Sequence, residues 1–314
     1  MIAALECRAP QAVPIWELSF HAWDAASGRH VVLGEEFAAL TMQEQDHALH
    51  TNAEIIAGVC RDFNFAAVTM PASYWYQAPN DLAYYILPGE VRYLQMKVMH
   101  DLVGDDIMLI GNSGGVLGAN YDVEFCETLV HAPEKIDEMA SNTLRNGLET
   151  AKKYRDAGAG AVISSSDIAD NSGPFYRPHQ MSRFILPYLN DWAQACKQMG
   201  LYSILHSDGQ LTRYLDDIAA TAVNGLQAID PVAGMDMLEA KKIVGERLCL
   251  CGNIDCGLII SGNPAEVFAE TTKLLTTCGH MNGLVLGASN AVQEEAPIIN
   301  YRAMIQAWQD NHPE

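Results

Sequence analysis

The sequence predicts a (β/α)8 barrel built as a single domain over residues 1–314. Three observations carry that expectation. Eight short, almost wholly apolar runs recur along the chain, each followed by polar or glycine residues and then by an amphipathic stretch. Such runs suit parallel strands covered on both faces rather than half-exposed antiparallel ones. A length of 314 residues with 49% hydrophobic content matches a large α/β barrel with a substantial core. Strand–helix alternation of this order favours closure, although counting leaves a doubly wound open sheet as the alternative.

The runs are Val13–Trp16, Ala66–Met70, Ile107–Ile110, Ala161–Ile163, Tyr202–Leu205, Gly225–Ile229, Leu248–Leu250 and Gly283–Leu286. The helices between them have readable ends. Pro133 starts a long one, with Ile136, Ala140, Leu144, Leu148 and Ala151 at helical spacing up to Gly158. Proline is tolerated at the first helical position, where its missing N–H would be unsatisfied anyway. Pro178 starts another, carrying Phe184, Leu189, Trp192, Cys196 and Met199 before Gly200, and Pro187 is predicted to kink it. Pro264 and Pro297 open the last two, and Gly279 closes the first of that pair. One connection is long and aromatic: Pro71 to Pro88 holds Tyr74, Trp75, Tyr76, Tyr84 and Tyr85. Long barrel loops are commonly functional, so it is expected over the mouth as a lid or substrate wall, with Tyr74 and Tyr76 as substrate contacts. Packing of its own aromatics, or a subunit contact, is the competing reading.

The net charge of −20, from 39 acidic and 19 basic residues, sets up a field that repels polyanions. Nucleic acid and anionic membrane are therefore not expected as partners, and no apolar run reaches membrane-spanning length. Charged residues are only 18%, against disorder. The eight cysteines (Cys7, Cys60, Cys126, Cys196, Cys249, Cys251, Cys256 and Cys278) form no CxxC pair, and the start lacks the pattern of an export signal. Reduced, mostly buried thiols in a cytoplasmic protein are expected. Assembly as a homodimer is left open.

In a (β/α)8 barrel, chemistry sits just beyond the carboxyl ends of the strands. Those positions hold Glu17 and His21; Ser73 and Tyr74; Asn112 and Ser113; Ser164 to Asp167, Asp170 and Asn171. They continue with His206 and Asp208; Asp230; Asn253 and Asp255; and Ser289 and Asn290. Polar groups after almost every run point to a small-molecule site. Residues two apart on a strand face the same way, so His206 and Asp208 can both face the mouth. A neutral imidazole beside a carboxylate can ligate a divalent metal or work as an acid–base pair. A satisfied core histidine beside a turn aspartate explains the same residues without chemistry. Asn253 and Asp255 share the two-residue spacing, and turn chemistry is again their competing reading. The stretch Gly111 to Gly118 fits neither G-x-G-x-x-G nor a P-loop and reads as a tight turn. Cys249 and Cys251 read as core, and Cys256 as an outside candidate for a ligand.

Five segments carry a resemblance: Ile168-Ala-Asp-Asn-Ser-Gly-Pro174, His206-Ser-Asp-Gly209, Asp230-Pro-Val-Ala-Gly-Met-Asp236, Leu250-Cys-Gly-Asn-Ile-Asp255 and Gly283-Leu-Val-Leu-Gly-Ala-Ser-Asn290. In this order they resemble the uroporphyrinogen decarboxylase superfamily, which also contains corrinoid-dependent methyltransferases. The similarity runs from Ala9-Pro10 to the end of the chain. The resemblance implies a uroporphyrinogen decarboxylase-like TIM barrel and two candidate activities. The decarboxylases grip their polycarboxylate substrate with an arginine-rich N-terminal segment. Here the matching stretch, Phe20 to Arg29, holds one arginine, and the mouth holds Asp167, Asp170, Asp208 and Asp230. Electrostatics disfavours a highly anionic porphyrinogen in such a mouth.

The thiol-activating methyltransferases of the superfamily bind zinc through a His-x-Cys pair and a later cysteine. His206 matches the histidine, Asp208 stands at the first cysteine, and no thiol lies around Ser289. A harder His/carboxylate set suits zinc as a Lewis acid on an ether or alcohol oxygen better than as a thiolate activator. The resemblance thus implies transfer of a methyl group between a small donor, such as a methoxylated aromatic, and cobalamin carried by a partner corrinoid protein: O-demethylation. His206 and Asp208 are the expected metal ligands, with Glu17 as the third and Asp167 and Asp170 as rivals. Asp170, His206 and Asp208 are the expected catalytic groups. Tyr74, Tyr76, Asn112, Asn171, Asp230, Asn253, Asp255 and Ser289 are the expected substrate contacts. A metal-independent decarboxylase or lyase is the alternative, and a non-catalytic binding barrel the third possibility.

Overall fold

A computed structural model describes residues 1–70, 73–75, 84–85, 87 and 89–311. Seven strands form one parallel sheet: β1 (Ala67–Thr69), β2 (Met108–Asn112), β3 (Ala161–Ser165), β4 (Tyr202–His206), β5 (Gly225–Gln227), β6 (Cys249–Cys251) and β7 (Leu284–Val285). They lie side by side in chain order, so every neighbour in the sheet is the next strand in sequence. That order follows from crossovers that each return the chain beside the strand it has just left. β6 and β7 are buried throughout, which is why their sequences are apolar without alternation, and β5 is buried as well although it carries Gln227.

The run Val13–Trp16 departs from expectation. It contributes no strand to the sheet, which is seven-stranded and curled rather than an eight-stranded closed barrel. Ile15 nevertheless makes parallel bridges to Phe65 and to Leu286, residues adjoining the two edge strands β1 and β7. Ile15 O accepts from Ala66 N, Pro14 O from Leu286 N, and Trp16 N donates to Leu286 O. Pro14 has no N–H to add to a ladder, which keeps this pairing short.

Inside the curl, Trp16, Leu18, Ala67, Ile110, Ala161, Ile163, Ile204, Cys249, Cys251 and Val285 pack into one cluster. Ala4 and Leu5 of the short helix Ile2–Leu5 join the same cluster. A larger apolar layer lies between the sheet and the surrounding helices. The helices start and stop where their sequences say. Pro133–Asp156 begins on its proline. Pro264–Cys278 carries a reciprocal cap, with Asn263 accepting from Glu266 N and the Glu266 carboxylate accepting from Asn263 N. Pro187 yields a register change instead of a simple kink. The chain passes through a π-helical turn at Met181–Ile185 before the α-helix Leu186–Gln198, so Pro187 falls in the first turn of a new helix.

All eight cysteines are free thiols. No described helix is long and apolar enough to cross a membrane. Most of the Pro71–Pro88 connection, Tyr76 included, lies outside the described residues, so its placement over the mouth is not addressed. Within it, Ser73–Trp75 pairs antiparallel with Tyr84–Tyr85, which places Tyr74 in a hairpin strand.

Candidate active site

Strands β3 and β4 run in register, with Ser165 opposite His206. Two residues beyond each lie Asp167 and Asp208, and the backbone N–H of Asp208 donates to Asp167 Oδ1 at 3.0 Å. Both carboxylates face the histidine: its Nε2 is 3.5 Å from Asp167 Oδ1 and 3.9 Å from Asp208 Oδ2. One ligand atom from each of Asp167, His206 and Asp208 falls within 4.8 Å of the others, the geometry of a metal-ligand trio. Among the described residues, this is the group of three or more such side chains so arranged.

The orientation of His206 is set from the next strand. Gln227 lies opposite it in β5, and Gln227 Oε1 is 2.5 Å from His206 Nδ1. The amide cannot turn over, because Gln227 Nε2 donates to two backbone carbonyls, Ala288 O and Ser289 O, each at 3.2 Å. The oxygen therefore meets the ring, and Nδ1 carries the hydrogen. That leaves Nε2 as the ring nitrogen directed at two carboxylates. Such an arrangement is repulsive unless a proton or a cation lies between them.

Asp208 is the perturbed acid of the site. Burial pushes its carboxyl up to about 6, Asp167 and Asp230 push the same way, and His206 opposes them. Its Oδ2 accepts from Asn290 Nδ2, a group delivered by the turn after β7. Asp230 is committed locally: its Oδ1 accepts from Val232 N at 2.9 Å and its Oδ2 from Gly209 N at 3.3 Å. Gly209 is in the left-handed region at φ +90°, and a Cβ there would come within 2.7 Å of the backbone of Ala169 and Asp170. Only glycine fits between these two strand ends.

Several expected site residues take other duties. Glu17, expected as a ligand, is not brought together with His206 and Asp208. Its side chain is buried, with Oε1 accepting from the Tyr301 hydroxyl at 2.7 Å and Oε2 from Ala288 N at 2.9 Å. Burial pushes its carboxyl up to about 8 against those two hydrogen bonds. The place expected for it is taken by Asp167. Asp170 is not arranged as a proton donor. It is exposed and accepts from Ser172 N, Gly173 N and the Tyr121 hydroxyl, contacts that lower its pKa and keep it ionised. Asp255 caps the helix Cys256–Ser261 through Gly257 N, the turn role weighed for it. Asn253 donates to Ile229 O, holding a β-branched residue at φ +48°, so it braces the turn before Asp230.

Asn112 remains at the mouth, donating to Ser165 Oγ at 3.1 Å. Asn171 is exposed in the turn after Asp170. Ser289 is buried, with its hydroxyl accepting from Cys256 N. The residue that sequence reasoning missed is Gln227. Its signal was present: it is the one polar side chain inside the apolar run Gly225–Ile229.

The model of the Uroporphyrinogen decarboxylase (URO-D) family matches residues 95–310. Methylcobamide:CoM methyltransferase MtaA of Methanosarcina barkeri is 23% identical over 217 residues, covering 68% of this chain and 61% of that protein. A uroporphyrinogen decarboxylase of Chlorobium phaeovibrioides is 27% identical over 155 residues, covering 48% of this chain and 42% of that protein. The chain thus spans about three fifths or less of the length of these curated relatives. Among solved structures, a methyltransferase from Methanosarcina mazei superposes with a TM-score of 0.68 at 18% identity, covering 99% of this chain and 98% of that one. That likeness is one of fold.

Proposed function

This chain belongs to the uroporphyrinogen decarboxylase family, and from that premise we propose that it is a methyltransferase working with a corrinoid protein on a small methyl donor. The observation that carries the reading is the His206 imidazole, whose Nε2 faces Asp167 and Asp208 while Gln227 holds Nδ1. One nitrogen and two carboxylate donors, with the histidine oriented from behind, fit zinc. His206, Asp167 and Asp208 would hold it, in place of the set with Glu17. A zinc ion there supplies Lewis acidity toward an ether or alcohol oxygen, consistent with the missing thiolates. The relatives support the class of reaction: one is named as a methylcobamide methyltransferase.

The chain's own residues account for the rest of the site. Gln227 fixes which imidazole nitrogen is free, Asn290 steadies Asp208, and Asp230 pins the Gly209 turn that carries Asp208. Asn112 lines the mouth. An O-methyl donor such as a methoxylated aromatic suits a site whose acids are unfavourable to anionic substrates. Cobalamin carried by a partner protein would supply the nucleophile that accepts the methyl group. The chain is read as one (β/α)8 domain in which Ile15 stands for the eighth strand.

A second reading rests on Asp208, whose carboxyl at about 6 is poised to donate a proton near neutral pH, as a metal-free decarboxylase would require. One experiment separates the two. Protein purified without chelator is analysed for metal, then incubated anaerobically with methoxylated aromatics and cob(I)alamin while methylcobalamin absorbance is followed. Stoichiometric zinc together with methylcobalamin formation supports the first reading. Metal-free protein that forms no methylcobalamin overturns it, whereas metal-free protein whose Asp208→Asn variant transfers methyl groups as well as the wild type removes the zinc and leaves the methyltransferase.

A further inference from the structure

A continuous hydrogen-bonded path leads from the surrounding helices to His206. Its outer end is Tyr301, on the helix Ile298–Asp310, whose hydroxyl donates to Glu17 Oε1. Glu17 Oε2 accepts the backbone N–H of Ala288, a residue that is 1% exposed. Ala288 O and Ser289 O in turn accept both amide hydrogens of Gln227, whose oxygen meets His206 Nδ1. The same turn delivers Asn290 to Asp208. Residues 287–290 are thus the plate on which both functional side chains rest; Ile254 holds it on one side through Gly287 O and Ser289 N, and Glu17 holds it on the other through Ala288 N.

We propose that Glu17 is a positioning residue for the candidate active site, acting on His206 through the 287–290 turn and Gln227. The chemistry is that of a buried backbone donor. Ala288 bridges Ile254 in parallel, with Ile254 N donating to Gly287 O and Ser289 N to Ile254 O, but those bonds do not use the Ala288 N–H, and the Glu17 carboxyl is the acceptor placed to satisfy it. The turn lies hard against the chain that carries Glu17: a Cβ on Gly287 would approach Trp16 O to 2.2 Å. Close approach brings the carboxylate into reach, and the carboxylate sets where along that contact the turn stops. If the turn shifts, the two carbonyls leave Gln227 Nε2. The amide is then free to rotate, and the rule that Nδ1 bears the hydrogen is lost. The inference rests on the proposed site only through His206. The path itself contains neither metal nor substrate.

The test reads the imidazole directly. Histidine-labelled protein, stripped of metal, is examined by nitrogen-15 NMR at the alkaline end of its titration, with His206 assigned from the spectrum of His206→Asn. The wild type is expected to show the Nδ1–H tautomer. Glu17→Gln, which keeps an acceptor at the same reach, should retain it. Glu17→Leu should give averaged ring shifts and, where the zinc reading holds, a fall of about 10- to 100-fold in zinc affinity. Should Glu17→Leu not fold, Glu17→Asp takes its place, because it withdraws the carboxylate by one methylene and is expected to average the shifts as well. A folded Leu or Asp variant with the wild-type tautomer overturns the proposal, as does an Nε2–H tautomer in the wild type. A wild type that binds no zinc yet shows Nδ1–H removes the metal reading and leaves this one standing.

Discussion

Asp167 Oδ1 lies 3.5 Å from His206 Nε2 and also accepts the backbone N–H of Asp208. One carboxylate therefore both faces the ring and orients the strand end that brings the second carboxylate. Removing its charge affects both functions. Asp167→Asn and Asp208→Asn are each expected to lower zinc affinity by about 100-fold, with methyl transfer falling in parallel. Both should unfold at wild-type temperature to within a few degrees, since the changes lie at the mouth and outside the core. Metal analysis after dialysis against graded zinc buffers measures the first effect, and calorimetry the second.

Gln227→Met keeps the volume of the buried amide but removes its polar ends. Ala288 O and Ser289 O lose a donor and His206 Nδ1 loses its acceptor. A loss of stability of about 1–3 kcal/mol is expected from the unsatisfied groups, read as a shift in urea midpoint. Activity should fall more steeply than stability alone explains, with kcat more affected than KM.

Gly287→Ala tests the contact between the last turn and the first run. Its Cβ would press on Trp16 O at 2.2 Å, and backbone cannot move aside as a flexible side chain can. A cost of about 1–3 kcal/mol or more is expected. Gly114→Ala is the comparison, since its Cβ would meet nothing within 4 Å, although its φ of +64° adds strain of its own. Urea unfolding of the two variants should rank Gly287→Ala as the more damaging.

His30 gives a pH signature away from the site. Its Nδ1 is 2.5 Å from Asp24 Oδ2 and its Nε2 is 2.7 Å from Glu36 Oε2, and the hydrogen bonds to Asp24 and then Glu36 push it from 6.5 up to about 9. A raised folded pKa means that the native state holds this proton more tightly than the unfolded chain does. The contribution is complete below about pH 6.5 and is lost as pH rises through about 9. The clasp is exposed, so its worth is at most about 1 kcal/mol. The stability difference between wild type and His30→Gln should be largest near about pH 6 and vanish near about pH 10.

Uroporphyrinogen should not be turned over. Arg29, the one arginine in the segment where the decarboxylases carry several, has its Nη2 3.5 Å from Glu54 Oε2. The mouth itself presents Asp167, Asp208 and Asp230. Anaerobic incubation with the porphyrinogen, followed by chromatography of the oxidised porphyrins, is expected to return only the starting material.

The division between what was legible and what was not follows from range. Apolar runs without alternation, and prolines opening helices, are written in neighbouring residues, so the parallel sheet and most of its helices could be read along the chain. Two-residue spacing likewise put His206 and Asp208 together at the end of one strand. Two limits appear at longer range. Pro14 shortens the pairing at Ile15, so the first run bridges both edges of the sheet without becoming a strand of it. The third acid beside His206 depended on the register between β3 and β4 and on the depth at which Glu17 is buried. Register put Asp167 across from Asp208, while packing against Tyr301 and Ala288 turned Glu17 away from them. Gln227 is the clearest case. The sequence by itself determined only that a polar amide interrupts an apolar strand. The tertiary structure decided its role, because its partners come from a neighbouring strand and a distant turn, and a buried amide takes its meaning from the groups that satisfy it.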